Sequence, residues 1–349
     1  MYNPPTLSNF HPLQCLLETP TCLLWRAHQI TLDRTVLILE LKPEISDIPE
    51  SRAIAFNSVR LLTELRLPLF PDVIDLLRQG NTDYIILEDA NISSILTALN
   101  GNRLNAEQLI TLTQQLAQHF RILQEKGLVY RVCSPATLFI TEDATPMLPD
   151  VTSLIFGVDF RYISRFQPRH INDLTWASPE EHAPKTVALD TRSDIFSIGL
   201  TLYALATGQV PFGMLAPEEI PEAKQMRAIP SPCDVSKHFP PALAVVLMKM
   251  THRDPALRYQ NWDDILADLA LVQAGTTPHI EAPEYALIAA PAPKSVPKAG
   301  RTIRISAKAL RVYRAKIKRK RARYLKIITP ILIFIALALG ACLLWELFL

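Results

Sequence analysis

The sequence predicts an α+β fold: a small β-rich N-terminal part, a larger helical part, and a transmembrane helix at the C-terminal end. Three observations carry this. Between Leu13 and Leu41 lie three short runs, LQCLLE, CLLWRAH and TVLILEL, rich in apolar and β-branched residues, which read as a small antiparallel sheet. Ile195 to Thr207, IFSIGLTLYALAT, carries no charge. Its helix is expected to be buried on all sides, with Gly208 capping the C-terminus. Ile327 to Leu349 is uncharged until Glu346, and Ile327 to Trp345 supplies 19 residues, close to the ~20 that span a bilayer.

Charge divides the chain. Of 36 Lys/Arg and 34 Asp/Glu, twelve bases and no acid fall within residues 301–326, and the only later acid is Glu346. The body before residue 300 is therefore acidic and is joined to a basic stalk. The stalk is expected to keep its side of the span in the cytoplasm and to attract anionic lipid at roughly 1 kcal/mol per base near the surface. Nucleic acid is not expected as a partner beside a membrane span. The first ten residues, MYNPPTLSNF, lack a charged-then-apolar leader pattern, so the body is expected in the cytoplasm and the protein to be tail-anchored. The five cysteines (15, 22, 133, 233 and 342) show no ligand spacing and suit a reducing compartment. The eight histidines are scattered, so no metal site is read from them. The organisation expected is a folded domain over 1–275, a Pro/Ala-rich linker over 276–300, a basic juxtamembrane segment over 301–326 and a membrane helix over 327–349.

Within the body, Pro49 to Leu65 reads as a helix with apolar positions at Ile54, Phe56, Val59, Leu61, Leu62 and Leu65. Tyr84 to Glu88 reads as a strand. Asn105 to Lys126 is a long amphipathic helix stopped by Gly127. The stretch from Trp176 to Phe212 is the most telling. It holds Ser178-Pro179-Glu180, then Asp194, Ser197 and Gly199 at the head of the apolar helix. It closely resembles the Ser-Pro-Glu to Asp-x-x-Ser-x-Gly segment of the Hanks-type Ser/Thr protein kinases, and the resemblance covers roughly Leu13 to Val272.

That resemblance implies a two-lobed protein-kinase-like fold, with the β-rich lobe first and the helical lobe second. It also implies positions for the chemistry, and there this chain departs from the family. Trp25-Arg26-Ala27 sets the register of the first hairpin, and the three positions of the phosphate-covering glycines fall on Leu17, Thr19 and Cys22; no glycine precedes Gly80. The strand lysine that holds the α- and β-phosphates becomes Leu39, and the small residue that floors the adenine site becomes Leu37. Lys42, three positions on, points to the opposite face of a strand. The helix glutamate that pairs with that lysine becomes Ser58. Leu128 to Ile140 matches the catalytic loop in length and keeps Arg131 and Pro135. The proton-accepting Asp becomes Val132, the Lys becomes Ser134 and the metal-holding Asn becomes Thr137. Phe139 is expected to crowd the adenine site together with Leu37 and Leu39. Asp150, in the place of the metal-binding Asp, is followed by Val151-Thr152; it is a metal candidate without its partner, or a loop carboxylate satisfied by backbone N–H groups. The structural partners are kept. Glu180 is expected to pair with Arg258, and Asp194 to accept N–H bonds from the Tyr130–Arg131 turn.

Intact structural partners beside replaced chemical groups lead to the expectation of a membrane-anchored pseudokinase. It would recruit a protein partner in the cytoplasm without phosphoryl transfer, cofactor or metal. Two alternatives stand beside it: a divergent ATP-dependent Ser/Thr kinase using Lys42 and Asp150, and a permanent structural subunit of a membrane assembly. The segment from Val151 to Ser178, with Arg161, Arg165 and Arg169, is a docking surface or a solvated loop.

Overall fold

Strand β3 (Arg34–Leu41) lies in the middle of the N-terminal sheet because both of its faces are apolar: Val36, Leu37, Ile38 and Leu39 are all fully buried. Successive side chains of a strand point to opposite faces. Val36 and Ile38 accordingly join one apolar cluster, and Leu37, Leu39 and Leu41 the other. A computed structural model describes residues 4–160, 171–182, 188–276 and 278. In it β1 (Phe10–Glu18), β2 (Cys22–Gln29), β3, β4 (Val73–Gln79) and β5 (Thr82–Glu88) form an antiparallel sheet in the order β1-β2-β3-β5-β4. The outer face is closed by Leu7 and Phe10 over Trp25, Tyr84 and Ile86. The inner face carries Leu24, Leu37 and Leu39 into the main core, which continues into the helical part.

The short helix α1 (Pro43–Ser46) leads into α2 (Pro49–Leu65), whose bounds match the sequence expectation. Pro49 takes the first helical position, where its missing N–H costs nothing. Ser51, Ala55, Ser58, Val59 and Leu62 are buried. They recur at helical spacing and define the face laid against the core. Arg52 leaves the solvent side of α2 to grip the buried Asp83 of β5 with two bonds, at 2.7 and 2.9 Å.

The helical part is assembled around one post. After β6 (Ser93–Ser94) and α3 (Ile95–Leu99), helix α4 (Ala106–Glu125) opens with a capping box between Asn105 and Gln108, at 2.9 and 3.0 Å. Short pairings follow: β7 (Leu128–Val129) with β10 (Ile155–Phe156), and β8 (Phe139–Ile140) with β6 and β9 (Pro146–Met147). Beyond α5 (Ile171–Trp176) runs the post itself, α6 (Thr191–Thr207), buried at every position except Arg192. Each large apolar side chain it buries stabilises the fold by roughly 1.5–3 kcal/mol. It ends at Gly208 with φ 69°, the left-handed turn that glycine adopts without a Cβ clash. Helices α8 (Pro232–Val235) and α9 (Pro241–Met250) pack on it together with α4, while α7 (Ile220–Met226) lies against the Pro179–His182 turn and α10 (Trp262–Gln273) against α4 and α9. Contact between α6 and α9 requires Gly199, where a Cβ would lie 2.7 Å from the Met250 Cβ.

All described residues belong to one unit, Met1–Pro291, and a second unit covers Ala292–Leu349. The expected basic stalk at 301–326 and membrane helix at 327–349 lie outside the described residues, as do Arg161, Arg165 and Arg169. Among the described residues no helix is long and apolar enough to cross a membrane.

Candidate functional site

Helix α6 builds the loop that follows β7. Asp194, Ser197 and Thr201 stand at i, i+3 and i+7 on one face, and each holds the loop's backbone. Asp194 accepts from Tyr130 N (3.1 Å to each oxygen) and from Arg131 N (2.7 Å). Ser197 Oγ accepts from Cys133 N at 2.8 Å and donates to Cys133 O at 3.1 Å; Thr201 Oγ1 donates to the same carbonyl at 2.9 Å. These bonds stabilise Arg131 at φ 76°, a left-handed conformation unusual for a residue with a Cβ. Burial pushes the Asp194 carboxyl up to about 7, against the pull of the Arg131 and Tyr130 N–H groups. Burial also raises the Cys133 thiol to about 12.

Two acids on the Pro179–His182 turn hold the loop to the helices. Glu180 pairs bidentately with Arg258, at 2.7 and 2.8 Å, and accepts from Ser193 Oγ at 2.9 Å. Arg258 is fully buried and also donates to the carbonyls of His252, Arg192 and Arg253. Burial pushes the Glu180 carboxyl up, but its bonds to Arg258 outweigh that and leave it below the usual range. The Glu180–Arg258 and Asp194 contacts are those the sequence predicts. Arg131 reaches Glu181, its Nε 3.1 Å from Oε1, and lies over the Phe160 ring at 5.0 Å. The sequence reading missed Glu181; its signal was a second acid directly after Ser-Pro-Glu.

The cleft facing this loop holds the replaced positions. Leu37, Leu39 and Phe139 are all buried in one cluster, together with Tyr130 and Cys22. In the β1–β2 turn, Leu17, Thr19 and Cys22 are buried, and Thr19 Oγ1 accepts from Cys22 N at 3.0 Å. Side chains thus fill the place where the family has bare backbone. Lys42 follows β3 as the N-cap residue of α1 and pairs with Glu18 at 2.9 Å, beside that same turn. Burial pushes the Cys22 thiol well up; the Asp150 charge adds to this, while hydrogen bonds from Thr19 and Thr21 and the Lys42 charge oppose it.

Val132 is half-buried and donates its N–H to Tyr130 O at 3.0 Å. Thr137 and Ser134 bond each other, their hydroxyls 3.1 Å apart. Ser58 donates into the chain after Asp150, to the Thr152 and Leu154 carbonyls. Asp150 Oδ1 accepts from Thr152 N (3.1 Å) and Thr152 Oγ1 (2.6 Å), and Oδ2 from Ser153 Oγ (3.0 Å). Each carboxylate oxygen has two lone pairs, so Oδ2 keeps one for a ligand. Among the described residues no group of three His, Cys, Asp or Glu gathers to hold a metal. One carboxylate nonetheless meets the minimum for magnesium, which keeps most of its waters and takes other oxygens from substrate phosphates.

A sequence model of the family described as protein tyrosine and serine/threonine kinase matches residues 25–268. The chain is similar to a probable serine/threonine-protein kinase of Clostridium perfringens, 25% identical over 272 residues, covering 76% of this chain and 38% of the relative. It is also similar to the serine/threonine-protein kinase pkn2 of Myxococcus xanthus, at 23% over 288 residues (79% and 34%), and to PrkC of Bacillus subtilis, at 22% over 248 residues (70% and 37%). The chain spans less than two fifths of the length of these relatives.

These relatives overturn the expectation of a non-enzymatic pseudokinase scaffold, because proteins similar along most of the chain are named as kinases. The physical fault in that expectation was to treat each replaced side chain as an abolished step. Phosphoryl transfer asks the protein mainly for positioning and charge stabilisation. The loss of one general base lowers a rate by about 10²–10⁴ and leaves the rest of the site in place. With its fold partners formed and its body matched from residue 25 to residue 268, the chain belongs to the protein tyrosine and serine/threonine kinase family.

Proposed function

We propose that the chain is a divergent ATP-dependent Ser/Thr protein kinase that transfers phosphate slowly, with Asp150 and Lys42 serving where the family's usual charged groups have been replaced. The observation that carries this reading is the Asp150 carboxylate, held by Thr152 and Ser153 at the family's metal-binding place. A carboxylate that holds a metal and an ammonium near the phosphates are the charges a nucleotide's metal-bound phosphates require. Asp150, held by Thr152 and Ser153, presents the lone pair of Oδ2. A divalent ion held there supplies neutralisation of charge on the phosphate oxygens. Lys42 stands beside the β1–β2 turn that covers the phosphates in the family. Val132 accepts no proton, so the acceptor hydroxyl loses its proton to solvent and turnover is slow.

The test is transfer of labelled γ-phosphate from ATP with magnesium, onto the protein itself or onto a Ser/Thr-rich protein. Slow incorporation is expected, lowered at least about 100-fold in Asp150→Ala, with a raised KM for ATP in Lys42→Ala. Absence of incorporation by the unaltered protein over hours contradicts the reading.

The body is further proposed to work at a membrane surface on the cytoplasmic side, acting on protein substrates there. Support comes from the 19 apolar residues Ile327–Trp345 and the twelve bases within 301–326. Membrane extraction by detergent but not by high salt is expected for the full chain, and release of a chain truncated before residue 301.

A further inference from the structure

We propose that Ser58 is a positioning residue: its hydroxyl latches helix α2 to the segment that holds the Asp150 carboxylate, in place of the ion pair that Leu39 and Ser58 cannot make. Ser58 is 1% exposed, on the buried face of α2. Its Oγ lies 3.2 Å from the Thr152 carbonyl and closer still to the Leu154 carbonyl, groups 94 and 96 residues away in sequence. A third carbonyl, Ile54 O one turn back at 3.2 Å, is the local acceptor that any helical serine can use. A hydroxyl has one proton, so each bond Ser58 makes across to Thr152 or Leu154 replaces that local one.

Thr152 ties the latch to the site. Its carbonyl faces Ser58, while its N–H and hydroxyl both bond Asp150 Oδ1, at 3.1 and 2.6 Å. Downstream, Ile155 pairs with Val129 of β7, and Ile54 of α2 packs against the cluster of Val129, Ile155, Phe160 and Leu189. The segment is thus clamped between α2 and the loop after β7, and the Asp150 oxygens take their direction from it. A neutral hydroxyl suits this position. Leu39, where the family has the cation of that ion pair, is fully buried and uncharged, so a carboxylate at Ser58 would lack that partner.

The test compares Ser58→Thr and Ser58→Val in the full chain. The two variants have the same shape and differ only in the donor. Amide hydrogen exchange over residues 150–156, without nucleotide, is expected to be about tenfold faster in the Val variant than in the Thr variant, with Thr matching the unaltered protein. The KM for ATP is expected to rise about tenfold in the Val variant with kcat changed less than about threefold. A general loss of stability would lower the melting temperature without separating these two parameters. Equal exchange in the two variants overturns the latch. Should the added methyl prevent both from folding, Ser58→Ala against the unaltered protein gives the same reading. The kinetic arm rests on the proposed kinase activity; the exchange arm does not, so a protein without turnover refutes that activity while exchange alone still decides the latch.

Discussion

The turn beneath Ser178-Pro179-Glu180 and the cleft opposite it are both buried and both well bonded, but they are built from different chemistry. In the turn, charges are matched: Glu180 with Arg258, Glu181 with Arg131, Asp194 with two backbone N–H groups. In the cleft, hydroxyls and alkyl groups stand at the positions of charges: Leu39, Ser58, Val132, and the Ser134–Thr137 pair. A matched buried charge collapses if either partner is lost. A hydroxyl bonded to a carbonyl can be altered with a smaller penalty. The turn is therefore expected to govern stability, and the cleft to govern rate.

The comparison breaks first at Arg258. Arg258→Ala leaves Glu180 buried without its cation and is expected to destabilise the protein by about 3–5 kcal/mol, read by urea unfolding. If it lowers phosphate transfer and leaves stability unchanged, the division between the two regions is wrong. Leu39→Lys places an unpaired ammonium in a fully buried apolar site, with an expected loss of about 3 kcal/mol. Adding Ser58→Glu is expected to recover at least about 1 kcal/mol in a double-mutant cycle. Asp194→Asn keeps shape but gives up the charged acceptor of the Tyr130–Arg131 turn, at about 2–3 kcal/mol above about pH 8, where the carboxyl is charged.

The smallest effect concerns Lys224, buried beneath the turn where it donates to the Ala177 carbonyl. Burial lowers its pKa from 10.5 to about 7. A base with a depressed folded pKa contributes stability at high pH that is lost as pH falls through the folded value. Stability is thus expected to rise by up to about 2 kcal/mol between pH 7 and 9, and this part of the slope to disappear in Lys224→Met.

The regularity of the elements explains how much of this was legible. Helix α2 came out at Pro49–Leu65 as read, because its buried residues repeat at helical spacing behind a proline start. The uncharged run before Gly208 declared a buried post, and Glu180, Arg258 and Asp194 were placed by motifs whose spacing survives. The latch of Ser58 was not legible, because its acceptors are backbone carbonyls that leave no side-chain signature. Nor was the left-handed Arg131, a conformation imposed by Asp194 from across the fold. Function was misread for a related reason: replaced side chains were visible, but the contribution each makes to a rate was not.

The most direct measurement is the rate of γ-phosphate transfer after Val132→Asp. The position is half-buried beside Arg131, so a carboxylate fits there. If the cleft still grips ATP through Asp150, restoring a proton acceptor is expected to raise the rate by about 10²–10⁴. A Val132→Asp protein that folds, yet transfers no phosphate, would contradict the account.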